Sequence, residues 1–146
     1  MKILVDTSVW SSALRKRTLA KAELSNVAEL KELIHEARVV MIGPVRQELL
    51  SGISDDRKFS LVKERLQAFE DLSISQSDYE KAAEFFNACR RKGIQGSHID
   101  FLICAVAFNN KLSIFTTDKD FQNYASILEI VLHHIRGKAD IPGETR

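Results

Sequence analysis

The chain has 146 residues, 45% of them hydrophobic, enough for one domain with a substantial core and too few for two ordinary ones. Its 21 basic and 20 acidic side chains leave a formal net charge of +1, which excludes global attraction to nucleic acid or anionic lipid and confines any such contact to a local patch. The only two cysteines, Cys89 and Cys104, have no zinc or disulfide-framework spacing, and no run approaches the ~18 apolar residues of a membrane span or the core of a signal peptide, so a cytoplasmic protein without a membrane partner is expected.

Short β-rich runs alternate with stretches of helical period, the pattern of an α/β domain with a mostly parallel central sheet flanked by helices. The first strand is expected over Lys2 to Asp6. Leu24, Val27, Ala28, Leu30, Leu33 and Ile34 then recur at helical spacing, with Lys21, Glu29, Lys31 and Glu32 on the outer face. A second strand, Arg38 to Ile42, ends at Gly43-Pro44, where Pro suits the opening of a helix through Val45, Leu49 and Leu50 to about Gly52. Asp55 and Asp56 open another helix, through Phe59, Val62, Leu66 and Phe69. A third strand is placed at Asp71 to Ile74. The next helix runs from Ser77 or Asp78 to a stop at Gly93, with Tyr79, Ala82, Ala83, Phe86 and Cys89 turned to the core. Ser97 begins the most apolar helix, Ile99 to Phe108, and strands follow at Leu112 to Thr116 and Ile127 to Val131. Aperiodic sequence from His133 onward predicts a loose tail over residues 133–146, leaving a domain over residues 1–132.

Five acids stand out against this background, and each has an ordinary explanation beside a chemical one. Asp6, at the first strand's carboxyl end, is either the cap of a helix over Thr7 to Arg15 or a group in the crevice that parallel sheets offer to ligands. Glu48 shares a helix face with Val45 and Leu49, so it is either drawn inward or paired with Arg46 or Lys63 at a wet edge. Asp100 fits a capping box begun by Ser97, yet it is the only acid on a helix that otherwise reads as core. A turn accounts for one of Asp118 and Asp120, and less easily for two. A parallel sheet would gather these acids at one rim, where like charges conflict unless a hard, oxygen-loving cation such as Mg²⁺ or Mn²⁺ is present.

The runs Val5-Asp6-Thr7-Ser8-Val9-Trp10, Glu48-Leu49-Leu50-Ser51-Gly52, Asp100-Phe101-Leu102-Ile103-Cys104-Ala105 and Thr116-Thr117-Asp118-Lys119-Asp120-Phe121 occur in an order that resembles the PIN-domain ribonucleases, in particular VapC-type toxins of toxin–antitoxin modules. Gly43-Pro44 and Cys104 depart from the usual residues of that family without touching an acid. The resemblance implies a PIN-like fold and an endoribonuclease, with Asp6, Glu48, Asp100 and Asp118 as a catalytic cluster holding Mg²⁺ or Mn²⁺. It also implies supporting roles for Thr7, Ser8, Thr116 and Asp120, an antitoxin partner that blocks the site, and a homodimer. Two basic triplets, Arg15-Lys16-Arg17 and Arg90-Arg91-Lys92, are candidates for gripping RNA, against the commoner meaning of a solvated charge run. The rival readings are a non-catalytic PIN-like RNA-binding module and a phosphatase of the haloacid-dehalogenase type, whose second strand-end acid is here Ser8. A phosphorelay receiver ranks below both, since Asp6 has no adjacent acid.

Overall fold

A run of three apolar residues, β1 (Ile3–Val5), is fully buried at the middle of the sheet. The computed structural model describes residues 1–14 and 18–137. Within them β1 is followed by α1 (Thr7–Leu14), α2 (Lys21–His35), β2 (Val39–Val40), α3 (Gly43–Leu50), α4 (Asp56–Leu66), α5 (Gln76–Arg91), α6 (His98–Asn109), β3 (Ser113–Phe115), α7 (Asp120–Ala125) and β4 (Val131–Leu132). The four strands lie in the order β2-β1-β3-β4, and every pair is parallel. Parallel strands need crossovers, and helices supply them throughout. This is the expected α/β architecture, with the parallel character complete rather than partial.

The helices start and stop where local chemistry directs. Ser97 caps α6 by accepting from the Asp100 backbone N–H at 3.1 Å, and Asp55 caps α4 from Lys58 at 3.1 Å. Ser75 and Asp78 form a reciprocal capping box that begins α5 one or two residues earlier than expected. The expected stop holds: Gly93 takes φ of +76° beyond α5, a conformation glycine adopts without a Cβ penalty. Residues Phe101 to Ala107 of α6 are all buried, and α6 makes its most extensive helix contact with α5.

Two strands differ from expectation. Asp71 to Ile74 forms only a single bridge, Met41 to Asp71, and the α5 cap at Ser75 follows at once. The last strand lies at Val131–Leu132 rather than Ile127 to Val131, since the turn ending α7 uses the Ile127 and Leu128 backbone N–H groups on the Tyr124 carbonyl. Two helix faces also differ. Tyr79 and Ala83 of α5, expected in the core, are exposed, whereas Glu29, expected on the outer face of α2, is 3% exposed.

The cause of the second lies at the other end of the chain. Arg136 holds the Glu29 carboxylate through Nε and Nη2 at 3.1 Å and reaches Glu36 through Nη1 at 3.0 Å. His133 Nε2 lies 2.6 Å from the same Glu29 carboxylate. Residues His133 to Arg136, placed by sequence in a loose tail, are thus pinned to α2.

Candidate active site

The segments leaving β1 and β3 emerge side by side, because Leu4 pairs with Ile114 and Val5 with Phe115. Asp6 and Thr116 therefore arrive at the same rim, and the Thr116 hydroxyl donates to Asp6 Oδ2 at 2.8 Å. Ser8 donates to the same oxygen at 2.9 Å. Each hydroxyl oxygen in turn accepts a backbone N–H from the loop after β3, Asp118 onto Thr116 and Thr117 onto Ser8, both at 3.0 Å. The Asp6 carboxylate, 6% exposed, is thereby fixed by two hydroxyls whose own orientation the Asp118 loop sets.

The remaining acids reach this point from α3, from α6 and from the loop after β3. Glu48 on α3 accepts from the Thr7 hydroxyl at 3.1 Å, while Arg46, its expected partner, turns to Asp71 and the Leu66 and Phe69 carbonyls. Asp100, in the first turn of α6, accepts from Tyr124 Oη of α7 at 2.7 Å. Asp118 Oδ1 accepts the Asp120 backbone N–H at 2.9 Å, a turn that explains the acid locally without removing it from the rim. Asp6, Glu48, Asp100 and Asp118 line one cleft of about 680 Å³. Asp100, Asp118 and Asp120 each place a carboxylate oxygen so that all three lie within 4.8 Å of one another. Asp120 is exposed and does not line the cleft itself, yet its carboxylate joins those of Asp100 and Asp118.

The cluster is short of positive charge. Burial is the main cause pushing Asp100 above the ordinary carboxylate range, and the Asp6 and Asp118 carboxylates push it further, against the opposing hydrogen bonds from Tyr124 and Ser97. Buried like charges of this kind bind a cation or a proton. All the converging donors are oxygens, the set that suits Mg²⁺ or Mn²⁺ rather than zinc. The residues present therefore fit a hard divalent ion.

Of the candidate RNA-binding groups, the described triplet does not line this cleft. Arg90, Arg91 and Lys92 are exposed at the end of α5, with the Arg90 guanidinium over the Phe86 ring at 5.5 Å, and Arg15, Lys16 and Arg17 fall outside the described residues. Other residues of the site gave no sequence signal. Glu23 lines the cleft, accepting from Ser12 Oγ at 3.3 Å and from the Ala20 backbone at 3.2 Å. Tyr124, fully buried, belongs to none of the runs singled out in the sequence.

The PIN domain family model matches residues 3–127. The VapC ribonuclease Mb1587 of Mycobacterium bovis and ribonuclease VapC11 of Mycobacterium tuberculosis are each 32% identical over 132 residues, covering 88% of this chain and 95% of theirs. Among solved structures, FitAcB from Neisseria gonorrhoeae has a TM-score of 0.72 at 23% identity, over 90% of this chain and 96% of that one. VapBC2 from Rickettsia felis, bound to a DNA fragment from their promoter, has a TM-score of 0.72 at 18% identity, over 91% and 98%. These two structures share the fold seen here.

Proposed function

The chain belongs to the PIN-domain family and is a VapC-type ribonuclease, and on that premise we propose that it hydrolyses RNA with Mg²⁺ or Mn²⁺ held by Asp6, Glu48, Asp100, Asp118 and Asp120. The observation that carries the metal reading is the convergence of Asp100, Asp118 and Asp120 within 4.8 Å, beside a buried Asp6 and a Glu48 from a third helix. Left uncompensated, these acids would repel a phosphodiester. A bound divalent ion reverses the local field and supplies a water acidic enough to attack phosphorus.

The chain's own groups do the rest. Ser8 and Thr116 hold Asp6 in one rotamer, Thr7 holds Glu48, and Tyr124 holds Asp100, so the ligand oxygens are set before substrate arrives. Glu48 and Asp118 both line the cleft where an attacking water would give up its proton, and either is placed to receive it. An antitoxin that inserts a basic side chain among these acids would silence the site, and a homodimer is the assembly we expect.

The test is incubation of the purified chain, freed of co-purifying protein, with single-stranded and structured RNA in Mg²⁺ or Mn²⁺. Cleavage is expected to vanish in EDTA and to fall at least ~100-fold in Asp6→Asn and Asp100→Asn, the upper range for disturbing a metal shell. RNA cut equally well in EDTA, or left intact by wild type in every metal, overturns the reading.

A further inference from the structure

Because all four strands are parallel, the chain leaves each of them at one rim, and along that rim the residue chemistry changes. Beyond β2 comes α3 with Glu48, beyond β1 Asp6, beyond β3 Asp118, and beyond β4 the pair His133 and His134. The acids occupy the centre and one side. At the β4 edge the histidines take their place, with Lys119 beside them.

A second cleft of about 370 Å³ lies at that edge, lined by Lys119, Gln122, His133 and His134 among others. It shares Asn26, Thr117 and Asp118 with the acid cleft, so the two form one trough divided at Asp118. Apart from Asp118, no acid among the described residues lines this second part. Its wall is fixed: the His133 backbone N–H continues the ladder onto the Ile114 carbonyl at 2.7 Å, and its ring packs edge-on to Phe115 and meets Glu29. The neighbouring His134 is exposed, as is Lys119.

Resting on the ribonuclease reading, we propose that this basic cleft is a subsite for the nucleotide adjoining the scissile phosphate. The strand crosses the acids at Asp118, and the next nucleotide enters the cleft with its phosphate against Lys119 and His134. Its base meets the amides of Asn26 and Gln122 and the apolar surface of Leu132 and Ile135. Size and charge both favour this occupant. The cleft falls at the small end of ligand pockets, which run from ~300 Å³, so it suits one nucleotide rather than two. A phosphate next to the scissile one, unlike it, is not covered by a divalent ion and needs cations from the protein.

The experiment is steady-state cleavage of a defined single-stranded RNA by wild type, Lys119→Ala, His134→Ala and the double variant, with matched substrates shortened from the 5′ or the 3′ side. The double variant is expected to raise KM about tenfold while kcat stays within about twofold, as lost charge-assisted contacts to substrate would do. Lys119→Ala should make the fall of log(kcat/KM) with log salt shallower by about 0.7, the share of one phosphate contact on a single strand. Shortening on one side should cost wild type the same tenfold and the double variant nothing more. Unchanged KM and salt slope overturn the subsite, and so does a fall in kcat at constant KM, which would place these residues in the chemical step. Mn²⁺ calorimetry on each variant must match wild type, since weakened binding would mean that the acid cluster had shifted and that the subsite assignment fails. A wild type that cuts no RNA fails the ribonuclease reading itself, a result separable from both.

Discussion

Asp100 serves two purposes with two parts of one residue. Its backbone N–H completes the cap on Ser97, while its carboxylate leaves the helix and meets Tyr124 at 2.7 Å. The capping explanation offered by the sequence is met by half, since the Asp100 carboxylate turns to Tyr124 instead of back to the Ser97 backbone. The tyrosine is what the sequence could not announce, since its approach depends on α6 and α7 meeting in space. Tyr124→Phe keeps the ring and removes the donor, so we expect Mn²⁺ affinity, read by calorimetry, to drop about tenfold, as when an outer partner of a metal ligand is lost. The approach also requires Gly96, where an added Cβ would collide with Tyr124 Oη and stand 2.9 Å from the Phe101 ring. Gly96→Ala should cost about 1–3 kcal/mol in urea unfolding, the usual penalty of overpacking, and weaken Mn²⁺ binding as well. If stability falls while metal affinity holds, Gly96 matters only to packing.

At the scale of elements, α2 shows where periodicity misleads. Its buried stripe of Val27, Leu30 and Leu33 was legible, and Glu29 beside it read as solvent-facing. What covers Glu29 is a segment 107 residues away, and no local pattern encodes such a lid. Burial pushes the Glu29 carboxyl up, but the hydrogen bonds from Arg136 and His133 outweigh it and hold the group below the ordinary value of 4.5. The sign follows. A depressed carboxylate stabilises the fold fully above its unfolded pKa, and that contribution is lost as pH falls below about 4.5 through the folded value. Arg136→Ala leaves the buried Glu29 carboxylate with His133 as its remaining side-chain partner and should cost less than the ~3–5 kcal/mol of a fully unpaired buried charge, with the deficit shrinking as acid neutralises Glu29. Urea melts of both proteins at pH 7, 5 and 3.5 test this, and a constant deficit would mean that the pair is energetically idle. The strand near Asp71 was misplaced for a different reason. Its β-rich residues border a sheet edge, but the α5 cap at Ser75 and Asp78 ends the run after one bridge.

For the whole molecule, the order of elements was readable because parallel sheets demand alternation, and the acids were conspicuous because Asp6 and Asp118 follow strands, Asp100 opens a helix and Glu48 shares a face with apolar residues. Their meeting point was not a property of any segment. It arises from β1 lying between β2 and β3, so that three crossovers return to one rim. The near balance of 21 basic and 20 acidic groups means that RNA is drawn only by this rim, not by the protein at large. With two or three phosphate contacts at about 0.7 each, kcat/KM should fall only roughly tenfold between 50 and 200 mM salt, against the thousandfold or more of a protein with a broad basic face. A steeper dependence would point to a basic surface elsewhere, the Arg90 end of α5 included. The strand order has a further consequence in time. Chains are made from the amino end at about 5–20 residues per second, and β1, the first strand made, lies in the middle of the sheet. It cannot be paired on both sides until β3 has been synthesised, and Asp118 follows β3 directly. A half-made chain thus carries Asp6 and Glu48 with no rim to assemble them, and the ribosome is spared a nuclease until most of the chain has been made.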